Sequence, residues 1–86
     1  MIWKKKIKFG FVVYSSELGD EIVIMVKINK IFDSNILCKP IKSVRRKGIN
    51  HHDLFRSISF KEQLFKKSSV FDIHEEELNW FERLFI

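Results

Sequence analysis

His51, His52 and Asp53 are three consecutive side chains of the kinds that move protons or hold metals. An imidazole titrating near about pH 6.5 can act as a general base or, when neutral, as a metal ligand. Adjacent residues of an extended strand project to opposite faces, so His51 and His52 are poorly placed to share one ion. His74 and Cys38 are the remaining candidates, but no C-x-x-C, H-x-x-x-H or H-E-x-x-H spacing preorganises them. Glu75, Glu76 and Glu77 would do acid–base work only if one were buried, and in the first turns of a helix they would be exposed. The chain has neither G-x-S-x-G nor a P-loop, and its 3 glycines form no phosphate-cradling run. These patterns predict no catalytic residue, no metal and no cofactor. A compact nuclease built from Lys, Arg and His is the one enzymatic alternative, and no spacing singles it out.

The stronger chemical signal is charge. Formal net charge is +5, and residues 1–50 carry eleven Lys/Arg against four Asp/Glu, while residues 51–86 carry five against seven. Such asymmetry predicts an anionic partner for the first half. Lys6, Lys8, Lys27, Lys30 and Lys39 are expected at one end of a sheet, and Lys42, Arg45, Arg46 and Lys47 continue the charge into a following loop. Lysines suit phosphate contacts without base reading, and Arg45 and Arg46 can clamp phosphates bidentately. The bland alternative is a solvated rim whose lysines block sheet-to-sheet pairing. Exposed rings would strengthen the nucleic-acid reading. Trp3 beside Lys4–Lys6 is one candidate, although most aromatics in so short a chain belong to core or interface. The aromatic signature of an RNA-recognition motif is absent: Phe9-Gly10-Phe11-Val12 comes closest, but it lies in the first strand with no second motif.

The elements that must position these groups are mostly strands. Three apolar, β-branched and aromatic runs between Ile7 and Ile41 are broken by turn signals at 15–20 and 33–35. They predict strands at 3–14, 21–32 and 36–42 in hairpins whose paired residue numbers sum to about 36 and 68. Strand 2 is apolar on both sides, as befits a central strand. Pro40 cannot donate to a ladder, so the third strand should lie at an edge or end near it. Ser43–Asn50 reads as a loop. Beyond it, residues 54–59 could add a fourth strand. The spacing Ser59-x-x-Glu62 predicts a short helix over 60–67, and Asp72-x-x-Glu75 one over 73–85. Leu78, Phe81, Leu84 and Phe85 follow helical spacing, so Phe81 and Leu84 are expected to be buried against the sheet, with Trp80 facing outward.

Bulk properties bound the rest. The 86 residues, 45% hydrophobic, make one domain with an adequate core and stand clear of the disordered class. One cysteine permits no internal disulfide and favours a reducing, cytoplasmic setting. No run approaches the roughly 20 apolar residues of a membrane span, so no membrane partner is expected. The absence of Ala and Thr, beside abundant Ile, Lys, Phe and Asn, is what AT-rich codons produce, as in a phage or other mobile element. The expected fold is α+β: a three- or four-stranded twisted antiparallel meander, able to curl into an open SH3-like barrel, with a C-terminal amphipathic helix on it. The expected role is a non-enzymatic basic module that engages nucleic acid or a nucleoprotein machine through the phosphate backbone. The alternative is a protein-binding inhibitor or adaptor, such as an anti-defence factor, acting through Trp80, Trp3 or the sheet surface.

Overall fold

A computed structural model describes residues 3–86. Five antiparallel strands, β1 (Lys5–Ser15), β2 (Glu21–Ile31), β3 (Asn35–Lys47), β4 (Gln63–Lys66) and β5 (Phe71–Leu78), form one sheet in the order β4-β3-β2-β1-β5. Helix α1 (His51–Arg56) follows β3, a 3-10 turn at Lys67–Ser69 links β4 to β5, and α2 (Trp80–Arg83) follows β5. The linkage dictates the sheet's shape. Lys66 pairs with Asn35 and Phe71 pairs with Phe11, so five residues carry the chain from one sheet edge to the other. Across a flat sheet those edges lie about 19 Å apart, four spacings of about 4.8 Å. Five fully extended residues reach only about 17 Å, and here three of them are wound into the turn. The sheet must therefore curl.

The core fills the inside of that curl. Ile22, Ile24, Val26 and Ile28, alternate residues of β2, are buried and meet Val12, Ile36, Cys38, Ile58 and Val70, with Leu54 and Phe55 of α1 packed alongside. Each such side chain contributes about 1.5–3 kcal/mol on leaving water, which makes this face the main source of stability. Gly10 sits under Val70: a Cβ there would lie 2.7 Å from Val70 Cγ1. At the opposite end of the sheet, buried Asp20 accepts hydrogen bonds from Ser16 Oγ (2.9 Å) and the Asn50 backbone N–H (3.0 Å), tying the β1–β2 turn to the start of α1. Gly48 (φ +105°) lets the chain pass Asp20, because a Cβ would stand 2.7 Å from the Asp20 Cα.

The first hairpin keeps the expected register from Phe9↔Lys27 to Ser15↔Glu21. The second keeps it only from Glu21↔Lys47 to Val23↔Arg45, after which β2–β3 pairing slips at three places and sets Lys30 opposite Leu37 rather than Cys38 or Lys39. β3 also runs through the expected loop as far as Lys47. β4 accompanies it only to Cys38, so Pro40 lies where β3 has lost that neighbour. Residues 54–59 form no strand, since Leu54 and Phe55 enter the core from α1. The helix expected over 60–67 is replaced by β4 and the 3-10 turn. Ser59 Oγ accepts from Lys61 N–H instead of from Glu62, and Leu64 and Phe65 pair with Leu37 and Ile36.

The long C-terminal helix is also absent. Residues 71–78 take the free edge of β1, where Glu75 and Glu77 stand opposite Lys8 and Lys6. Cross-strand charge pairing and a full ladder outweigh the helical periodicity. The capping box that forms is Asn79-x-x-Glu82, which opens only the four-residue α2. Phe81 and Leu84 are consequently 55% and 67% exposed rather than packed on the sheet. No helix among the described residues is long and apolar enough to cross a membrane.

Candidate nucleic-acid interface

Cross-strand partners share a face, so the register sorts the cations. On the face away from the core, Lys27 lies opposite Lys39, Lys42 opposite Met25, and Arg45 opposite Val23. Phe9, Phe11 and Val13 occupy the same face on β1. β3 carries Lys39, Lys42, Arg45, Arg46 and Lys47 with no Asp or Glu, whereas β5 carries Asp72, Glu75, Glu76 and Glu77 with no Lys or Arg. The sheet is thus basic along β3 and acidic along its β5 edge.

This arrangement divides the nine expected contacts. Lys6 and Lys8 stand level with Glu77 and Glu75 across the strand pair, though no ion pair closes between them. Arg45 pairs with Glu21 at 3.6 Å. Arg46 lies 4.0 Å from the Phe55 ring centroid on the core side and donates from Nε to Ser43 Oγ, while Lys30 lies over the Phe32 ring. Lys47 is level with Glu21. No lysine is in an ion pair among the described residues, but Lys27, Lys39 and Lys42 differ from Lys6, Lys8 and Lys47 in having no carboxylate opposite them on a neighbouring strand.

Beside the lysines is an aromatic strip that sequence reasoning did not assemble. Phe11 lies 5.9 Å from His74, nearly parallel at 19°, and 5.9 Å from Phe71, while Phe9 closes the row 6.1 Å from His74. Phe71 pairs with Phe11, and His74 with Phe9. Three residues of β5 therefore span two of β1, and a bulge absorbs the difference. Asp72 takes up the left-handed conformation there (φ 51°), which aspartate tolerates. Simple alternation would have sent Phe71 and His74 to opposite faces, so the sequence held no signal of this row beyond Gly10 between two phenylalanines. A groove of about 440 Å³ runs beside Phe11 and Phe71, lined also by Val13, Val23 and Val44 and by Arg45, Glu21 and Asp72.

His74 is held firmly. Nδ1 lies 2.8 Å from the Asp72 carbonyl oxygen and Nε2 lies 2.8 Å from Glu76 Oε2. The backbone carbonyl and the Glu76 carboxylate both favour the charged ring and raise its pKa above the ordinary value.

The other candidate groups are not gathered into a site. His51 and His52 are not on a strand pointing to opposite faces but open α1, where their rings lie 4.1 Å apart, and His51 Nδ1 is buried without a hydrogen-bond partner. Burial pushes the Cys38 thiol up to about 11, far from the thiolate a nucleophile needs. Among the described residues no group of three or more His, Cys, Asp or Glu side chains could hold a metal. Trp3 and Trp80 are 56% and 54% exposed, with Arg83 Nη2 donating to the Trp3 carbonyl at 3.5 Å. No family model, no curated protein and no solved structure matches this chain.

Proposed function

We propose that the protein is a non-enzymatic binding module that engages the phosphate backbone of nucleic acid through the outer face of β2 and β3. The observation that carries this reading is the Lys27↔Lys39 pair. Like charges directly opposite on neighbouring strands destabilise a sheet. Here Lys42 adds to them, and the strand carboxylates other than Glu21 lie on β5. An anion laid along β3 would relieve that repulsion. Lys47 and Arg45 extend the track, with Lys30 and Arg46 at its margins, and Lys6 and Lys8 fall outside it. The curled sheet, closed by the short crossing from Lys66 to Phe71, supports an open SH3-like barrel as the finer description of the fold.

Fluorescence anisotropy with a labelled oligonucleotide tests the reading. Binding is expected at about 50 mM salt and should weaken steeply and log-linearly toward about 200 mM, as bound counterions are released. Absence of binding at the low-salt end would remove the proposal.

A second reading has its own support. Trp80, Phe81 and Phe85 form an exposed aromatic group, with Phe81 edge-on to Trp80 at 5.8 Å and to Phe85 at 5.4 Å, and Trp3 is exposed as well. Exposed tryptophans dominate many protein interfaces, so an inhibitor or adaptor acting there remains the competing function. Trp80→Ala is expected to leave the melting temperature nearly unchanged, since the ring is 54% exposed. If the variant loses a protein partner captured by wild type after nuclease treatment, the second reading gains; if it loses stability instead, the ring is structural.

A further inference from the structure

We propose that Phe11, His74 and Phe71 form a stacking subsite for an unpaired nucleobase, with His74 held as an imidazolium, so that the protein prefers single-stranded nucleic acid over duplex. The inference rests on the backbone-binding reading above and adds which nucleic acid it is.

The protonation state follows from geometry. A neutral imidazole has one N–H donor and one bare acceptor nitrogen. Nδ1 of His74 faces a carbonyl oxygen and Nε2 faces a carboxylate oxygen, each at 2.8 Å. Both partners accept, so both ring nitrogens must donate, and the ring that fits is the cation. The charged surroundings agree. On β5 it meets Glu76 and Asp72, which both favour the cation. β1 presents the Phe9 and Phe11 rings, which do not titrate, and its nearest cation, Lys8, stands level with Glu75. A cation over an aromatic ring is itself favourable.

The placement points to a base rather than to phosphate alone. Phe71 is 41% exposed and the His74 side chain 37%, so the row presents ring surface to solvent beside the 440 Å³ groove. Every base has a π face, but duplex stacking hides it, so only an unpaired base can use such a row. The lysines of β2 and β3 lie on the same face, one and two strands away, where they could follow the backbone of that strand. Of the carboxylates beside the row, Glu76 is engaged by His74 and Glu21 by Arg45, while Asp72 lines the groove without an ion pair.

The test compares an oligouridine with an RNA duplex of equal length at one fixed salt concentration, using wild type and Phe71→Ala. Phe71 is exposed enough for its removal to leave the fold intact. The single strand should bind more tightly, and Phe71→Ala should weaken it by roughly 5- to 150-fold while leaving the duplex nearly unchanged. Equal binding of both forms, insensitive to Phe71→Ala, overturns the subsite but leaves the backbone reading standing. No binding of either form overturns both. An NMR titration of His74 in the free protein is independent of any ligand. Its midpoint should lie above the ordinary value of about 6.5 and fall toward it in Glu76→Gln. Single-strand affinity should then be higher at pH below that midpoint and drop as pH rises through it. A midpoint at or below the ordinary value overturns the imidazolium.

Discussion

Gly10→Ala is expected to destabilise the protein by about 1–3 kcal/mol, although alanine is the mildest substitution available. The reason is local. The added Cβ would lie 2.7 Å from Val70 Cγ1, 3.4 Å from the Phe71 carbonyl oxygen and 3.5 Å from Ile28 Cδ1. Val70 is 7% exposed and joins the core cluster, and the chain has just crossed from β4 to begin β5. It can yield only by lifting the point at which the sheet's two edges approach. For a domain of this size each 1 kcal/mol lowers the melting temperature by roughly 4–8 °C, so circular dichroism would register the change. The double variant Gly10→Ala/Val70→Ala isolates the cause. Val70→Ala alone costs stability by leaving a cavity, but in the Gly10→Ala background it should cost much less, a coupling of about 0.5–3 kcal/mol. Strictly additive losses would mean that Val70 does not sit over Gly10. The aromatic row would then lack the bulge that aligns Phe71 with His74.

That bulge also marks the limit of what the sequence could tell. Strands β1 and β2 and their hairpin register were legible because alternation in Ile22–Ile28 and the turn residues at 15–20 agree with each other. β5 was not. Asp72, Glu75, Leu78, Phe81 and Leu84 carry every local mark of a capped amphipathic helix. A tertiary fact overrides them: β1 has a free edge with Lys6 and Lys8 placed to face Glu77 and Glu75. β4 was hidden for a similar reason, since four residues are too few to show a period. The candidate interface was half legible. The types of the basic residues were plain, but which of them act together depends on acidic partners supplied by strands distant in sequence. The aromatic row depends on one left-handed aspartate that no periodicity announces.

Replacing Lys27, Lys39 and Lys42 together with Gln is expected to reduce nucleic-acid affinity by about 100-fold at about 0.1 M salt. That figure follows from losing three phosphate contacts, each carrying a salt exponent of about 0.7 on a single strand. The slope of log affinity against log salt should become shallower by about 2 in the same experiment. Stability should hardly change. Lys39 and Lys42 are exposed and Lys27 is half-buried, and removing the Lys27↔Lys39 repulsion should if anything stabilise by a few tenths of a kcal/mol. A matched variant makes the result specific: Lys6→Gln/Lys8→Gln removes two cations from the most basic-looking stretch of the chain. Those residues stand opposite Glu77 and Glu75, so their loss should barely alter affinity. If net charge alone governed binding, the two variants would weaken it in proportion to the cations removed, two against three. A large loss confined to the β2–β3 lysines would instead tie binding to the outer face. Equal binding by the triple variant and the wild type would exclude that face as the phosphate track. The Lys27↔Lys39 pair would then be an unrelieved cost to the sheet, and the exposed aromatic group around Trp80 would become the better-supported interface.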